Sequence, residues 1–265
     1  MRIPSYNNER MTRTLTIIGC GYLGHHFLRQ FGHRFSNIVT TSKASFPEFP
    51  VSHHHFFDLY SSTRLPIASD WCLISIPFSR QLADPWAYPH GLQQLVPQIS
   101  QKTAIVFISS TSIYPCINNW VTESSQTDIT NRARALRAAE QAIETHPTRS
   151  IILRAAGLCG YNRYSRMTPA VPNANAPVNL IHIDDLNHFI WHLMVNPPAQ
   201  SDIINVCCPE HPTKADYYRY QCAHLNTPPP SFLESDAPFK RVDTTKMTMH
   251  YAFTPHYSSP LQFPL

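Results

Sequence analysis

The chain has 265 residues, of which 43% are hydrophobic and 14% charged, with a net charge of +4. That length buries one sizeable core with room for a small second lobe, and the apolar content excludes a disordered chain. The basic residues are scattered without a lysine or arginine run, which argues against a nucleic-acid partner. No stretch approaches the roughly 18 apolar residues of a membrane span, which argues against a membrane partner.

The opening MRIPSYNNER lacks the apolar stretch of a signal peptide. Residues 1–11 read as a disordered extension, and Met11 is an alternative start because the fold signal begins directly after it. Then LTIIG reads as a short buried strand, and GHHFLRQFGH as a helix with Leu23, Phe27, Leu28 and Phe31 at helical spacing. SNIVTTS, HHHFFDL and DWCLISIP follow as strands, YPHGLQQLVPQI as a helix, TAIVFISS as a strand, RARALRAAEQAIETH as a helix and RSIILRAAGL as a strand. The histidine run Ser52 to Phe57 has no Cys or carboxylate set at ligand spacing, so no metal is expected there. The seven cysteines form no Cys-x-x-Cys pair and fit reduced thiols in a cytoplasmic protein.

Near-continuous apolar strands alternating with helices are the signature of a parallel sheet covered on both faces. The expected fold is therefore α/β, a doubly wound Rossmann sheet with a small C-terminal substrate lobe. Proline density rises after about Pro169, in MTPAVPNANAP and NTPPPSFLESDAP. The expected division is a Rossmann domain over 12–200 and a lobe over 201–265, with the loop 161–177 open to joining the lobe.

The stretch TLTIIGCGYLG holds three of the seven glycines. Gly19-x-Gly21-x-x-Gly24 follows a strand and opens a helix, the context a dinucleotide fingerprint requires. Gly19 allows the tight turn, Gly21 lets backbone approach a pyrophosphate, and Gly24 permits close helix–strand packing. Tyr22 and Leu23 begin the helix whose N-terminal N–H groups face the anion. An ordinary turn is the alternative. The second strand runs into Ser42 and Lys43, with no acidic residue before Glu48. A carboxylate there would hold the 2′-hydroxyl of NAD, whereas a hydroxyl beside an ammonium attracts the 2′-phosphate of NADP. NADP is the expected cofactor and NAD the alternative; Lys43 as a solvated surface lysine is the competing view.

Three further segments follow in order: AIVFISSTSIYP (Ala104 to Pro115), TRSIILRAAGLCG (Thr148 to Gly160) and VNLIHIDDLNHFI (Val178 to Ile190). With the glycine turn they resemble the extended short-chain dehydrogenase/reductases, the family of sugar-nucleotide epimerases and dehydratases. SSTSIYPCINNWVTES and INVCCPEHP resemble the YeeZ-like bacterial subgroup of that family. The resemblance implies a catalytic role for Ser110, whose hydroxyl would bond a substrate carbonyl or hydroxyl. It puts Arg154 and His182, with Asp184 and Asp185, at the cleft. It also implies cofactor contacts at Asp58, Ile76, Pro77 and Ser109. Strand-end capping by Ser109, Ser110 and Thr111, and helix capping by the two aspartates, are the structural alternatives.

The chain departs from that family at its Tyr-x-x-x-Lys pair, where lysine lowers the tyrosine pKa. None of the twelve tyrosines has Lys four residues on. Aligning Glu140-Gln141 with the family's acidic residue puts Ala133 at the tyrosine position and Arg137 at the lysine position. Arg137 cannot give up a proton, though it can bind ribose or phosphate. Tyr114, Tyr161, Tyr164 and His182 are the candidate replacement acids, which makes Ser110, Tyr114, Arg137 and His182 the expected catalytic set. The expected activity is that of an NADP(H)-dependent oxidoreductase or epimerase on an unknown small-molecule or nucleotide-sugar substrate, with homodimerisation an open option. The alternative is a non-catalytic dinucleotide-binding sensor or scaffold.

Overall fold

A computed structural model describes residues 13–43, 49–61, 64–165 and 168–264. The expected extension over 1–11, and Glu48, lie outside them. In chain order the strands are β1 (Thr14–Ile18), β2 (Asn37–Ser42), β3 (His53–Phe56), β4 (Trp71–Ile74), β5 (Ala104–Ser110), β6 (Asn119–Val121) and β7 (Ser150–Ala155). They continue with β8 (Gly157–Cys159), β9 (Ala170–Pro172), β10 (Leu180–His182), β11 (Asp202–Val206), β12 (Ser231–Leu233) and β13 (Lys240–Val242). The helices are α1 (Tyr22–Phe31), α2 (Ala87–Leu95), α3 (Asn131–Glu144), α4 (Ile183–Val195) and α5 (Lys214–His224).

Seven strands form one parallel sheet in the order β3-β2-β1-β4-β5-β7-β11. The apolar runs that predict strands are the buried centre: every residue of β4 and β7 is buried, as sheet faces covered by helices require. α1 turns Leu23, Phe27, Leu28 and Phe31 inward and packs on α4, with Phe31 stacked on Trp191 at 5.2 Å. α2 packs on α3, and α3 begins where the Thr130 hydroxyl accepts from the Ala133 N–H at 3.3 Å. This is the expected doubly wound α/β fold.

Three differences matter for the site. β4 stops at Ile74, short of the expected DWCLISIP; Ser75 bonds the Ile18 carbonyl through its N–H and the Gly19 carbonyl through its hydroxyl, both at 2.9 Å. Ile76 and Pro77 therefore leave the sheet. The run RSIILRAAGL splits at Ala156, after which β8 leaves the sheet to pair with β10. β11 lies beyond residue 200, in the span expected for the lobe, yet its Ile204 and Val206 are fully buried beside β7. The tail forms short parallel pairs with earlier segments, β12 with β9 and β13 with β6. A second apolar cluster joins Cys159, Leu180 and Cys208 to Tyr217 and Phe263. All seven cysteines are unbridged. Among the described residues no helix is long and apolar enough to cross a membrane. The strand order reverses between β1 and β4, where an open α/β sheet forms its crevice.

Candidate functional site

The three glycines of the turn are there for different reasons. Gly19 has φ +83°, and a Cβ on it would lie 2.7 Å from the Ile76 side chain and 2.9 Å from its nitrogen. A Cβ on Gly24 would stand 3.0 Å from Cys20 Sγ and 3.2 Å from Ile17 Cγ2. Gly21 is unlike both. Its φ is negative, −100°, and a Cβ there would meet nothing within 4 Å. The space it leaves free belongs to a cleft of about 360 Å³, lined by Gly19, Gly21, Ser42, Lys43, Ile76 and Pro77 among the expected residues. Phe57, Leu59 and Tyr60 add an apolar wall that the sequence did not reveal.

Lys43 makes an ion pair with Asp58 at 2.8 Å and lies 4.9 Å from the Tyr60 ring centroid. Burial pushes the Asp58 carboxyl up, but hydrogen bonds from Lys43 and the Tyr60 N–H outweigh it and hold the group below the usual carboxylate range. The Ser42 hydroxyl pairs with His54 Nε2 at 3.2 Å, and Thr40 with its Nδ1 at 2.8 Å. Leu23 and Gly24 face the core rather than the cleft. The Tyr22 hydroxyl donates to the Gly160 carbonyl, and burial pushes this phenol up to about 12.

None of the four expected catalytic residues is among those lining this part of the cleft. Ser110 Oγ accepts from the Ser112 N–H at 3.1 Å, capping a single turn over Thr111–Ile113. The Ser109 hydroxyl donates to Glu140 Oε1 at 2.6 Å. Tyr114 is 1% exposed; its hydroxyl donates to Asn205 Oδ1 at 2.7 Å and accepts from Arg154 at 2.7 Å. Arg154 is itself buried, bonded to both Glu140 oxygens at 2.9 and 2.7 Å. Arg137 serves carboxylates on its own helix, Glu140 at 3.2 Å and Glu144 at 3.0 and 3.1 Å. His182 is fully buried and caps α4, its Nδ1 accepting from the Asp184 N–H at 3.2 Å. Burial pushes its imidazole pKa down. Tyr114 and His182, two of the expected acids, are thus both buried and hydrogen-bonded. Tyr161 donates to Asp184 Oδ2 at 2.6 Å, and that bond, with burial, pushes its phenol up. Tyr164 bonds Asn162 Oδ1 at 3.0 Å. Asp185 accepts from the His256 and Tyr257 N–H groups at 2.6 and 3.1 Å, fastening the tail to α4.

No family model matches the chain. Protein YeeZ of Escherichia coli (strain K12) is 30% identical over 274 aligned positions, which span 96% of this chain and 99% of that protein. The chain belongs to the YeeZ family. Solved structures with its fold include MoeE5 in complex with UDP-glucuronic acid and NAD, at TM-score 0.79 and 13% identity over 94% of this chain and 97% of that one. They also include the ADP-L-glycero-D-manno-heptose-6-epimerase of Helicobacter pylori, at TM-score 0.79 and 12% identity over 98% and 97%. A third is the human epimerase family protein SDR39U1 (isoform 2) with NADPH, at TM-score 0.72 and 16% identity over 93% and 96%. At these identities the likeness is one of fold.

In this YeeZ-family chain the cleft has one more neighbour, which sequence patterning does not single out. Arg132, in the first turn of α3, donates to the Ser79 carbonyl at 3.0 Å and the Phe78 carbonyl at 2.5 Å. Its guanidinium lies 4.0 Å from the Phe78 ring centroid. A signal was present: the first turn of α3 carries Arg132 and Arg134 and no acidic residue, the reverse of what a helix dipole favours. Among the described residues no group of three or more His, Cys, Asp or Glu is arranged to hold a metal.

Proposed function

We propose that the cleft binds a nicotinamide dinucleotide, NADP(H) in preference to NAD(H), and that the protein is a reductase or epimerase acting on a small carbonyl compound or nucleotide sugar. The observation that carries this reading is Gly21. No neighbouring atom of the chain calls for glycine there, so the bare Cα keeps room for something outside the chain. It stands at the N-terminus of α1, whose free N–H groups suit a pyrophosphate. Ser42 and Lys43, at the end of β2, are the groups to meet a 2′-phosphate, with Asp58 holding the lysine ready on the cleft wall. When bound, the dinucleotide supplies hydride exchange. The Ser110 hydroxyl, which accepts from the Ser112 N–H, would then donate its own proton to the substrate oxygen. The tail beyond β11, with the loop 161–177, is the substrate side.

A second reading, a non-catalytic dinucleotide sensor, is favoured by the burial of Tyr114 and His182 and by the upward shift of the Tyr161 phenol. A proton donor needs a pKa near the working pH.

Calorimetric titration with NADPH and NADH, on the parent and on Gly21→Val, tests the site. The variant should fold with near-parent stability and lose at least tenfold in affinity, about 1.4 kcal/mol. Unchanged affinity in a folded Gly21→Val protein refutes the assignment. NADPH oxidation against carbonyl compounds and nucleotide sugars then separates the two readings, because binding without turnover favours the sensor.

A further inference from the structure

The cations around the cleft divide into two kinds. Lys43 is paired with Asp58, Arg137 with Glu140 and Glu144, and Arg154 with Glu140. Arg132 is different: half-buried, it bonds only the carbonyls of Phe78 and Ser79, and among the described residues no carboxylate contacts it. A guanidinium has five N–H donors, so the two carbonyls leave several free. The Phe78 ring centroid lies 4.0 Å from its guanidinium carbon, and the Tyr88 ring stacks on that ring at 4.8 Å, holding it in place. Ser79, whose carbonyl it holds, lines the cleft. Arg80 follows directly in the chain, is exposed, and adds a second positive charge that, with burial, weakens the hold of Arg132 on its proton. Two cations without a carboxylate partner among the described residues, Arg80 on the loop after β4 and Arg132 on the helix turn that holds that loop, attract an oxyanion, and arginine offers it a planar, two-pronged donor set.

The position in the sheet indicates whose oxyanion. The order β2-β1-β4-β5 puts Lys43 at the end of β2, on one side of the glycine turn. The loop after β4 and the start of α3, which follows β5, lie on the other side. A dinucleotide with its 2′-phosphate at Lys43 and its pyrophosphate over Gly21 directs its reactive end toward Arg132. We infer that Arg132 and Arg80 form a subsite for a carboxylate or phosphate group of the substrate, so that the site selects anionic small molecules over neutral carbonyl compounds. This rests on the dinucleotide reading of the cleft.

Inorganic phosphate is the probe. Its dissociation constant is measured by calorimetry on the parent, Arg80→Gln and Arg132→Gln, each both free and saturated with NADPH. The expected result is phosphate binding alongside NADPH, weakened about tenfold by Arg132→Gln and about threefold by Arg80→Gln, a scale set by the loss of a charge-assisted contact. NADPH affinity should stay within about twofold of the parent in Arg80→Gln, a surface change that leaves the fold alone. Equal phosphate affinity in the parent and Arg80→Gln overturns the subsite. Phosphate binding that disappears on NADPH saturation assigns the arginines to the cofactor's own phosphates and also overturns it. Failure of NADPH to bind the parent is a separate outcome. It ends the dinucleotide reading and with it the assignment to a substrate, while the free-protein series still reports whether the arginines bind an anion.

Discussion

Arg154→Met tests whether the buried ion pair at the centre of the molecule holds α3 to the sheet. Glu140 is 0% exposed and Arg154 2%, and the pair connects α3 to β7 through two hydrogen bonds at 2.9 and 2.7 Å. Methionine fills much of the volume, so the main loss is the partner of a buried carboxylate. Two bonds to a charged group, at about 1.5–3 kcal/mol each, sum to about 3–6 kcal/mol. The usual cost of leaving one member of a buried pair alone is about 3–5 kcal/mol. Glu140 keeps its bonds from Ser109 and Arg137, which favours the lower end, near 3 kcal/mol. That is a large part of the roughly 5–15 kcal/mol that stabilises a typical domain. Urea unfolding followed by circular dichroism should show the loss as a lower midpoint at unchanged slope. The double variant Glu140→Leu/Arg154→Met removes both charges and should recover more than half of it. A single-variant loss under about 1 kcal/mol, or a double variant no better than the single, would refute a strongly coupled pair.

Lys43→Ala should reduce an NADPH-over-NADH preference by roughly tenfold, the scale of one charged hydrogen bond; side-by-side titrations check it, and an undiminished preference rules Lys43 out as the selector. Burial raises the Glu123 carboxyl above its ordinary range, so the favourable contribution of the protonated group is present below the unfolded pKa and lost as pH rises through the folded one. Glu123→Gln, which still accepts from the Asn205 N–H, should be at least as stable as the parent at pH 7, with its advantage vanishing below about pH 4; a variant less stable at pH 7 contradicts this. Of the seven cysteines only Cys116 is exposed, so one thiol should react quickly with a disulfide reagent in the native state and seven in denaturant; several fast thiols would contradict the buried assignments.

The sheet was legible because its signal is local. LTIIG, WCLI and SIILRA are apolar without alternation, and such runs fit a strand buried on both faces. The tail was not, because its strands are three-residue pairings between distant segments, such as β9 with β12, and no local period marks them. The glycine turn was readable as a motif, but the distinction between Gly21 and its two companions needed the positions of Ile76 and Cys20. On α3 the sequence directed attention to Arg137, at the family's lysine position. The arginine beside the cleft is Arg132, five residues earlier, on the turn that faces the loop after β4. Position in a motif gave Tyr114 and His182 their expected roles. Their burial follows from partners far away in the chain, Asn205 and Arg154 for the tyrosine and Tyr257 and Phe263 around the histidine.

The hydroxyl of Tyr22 holds the carbonyl of Gly160, and Arg163 lies over the same ring at 5.1 Å. The first residue of α1 is therefore a strut between the glycine turn and the segment that leads into the tail-bound part of the chain. A shift at either end larger than a hydrogen bond tolerates must carry the other end with it or break the strut, which couples the glycine turn mechanically to the segment around Gly160.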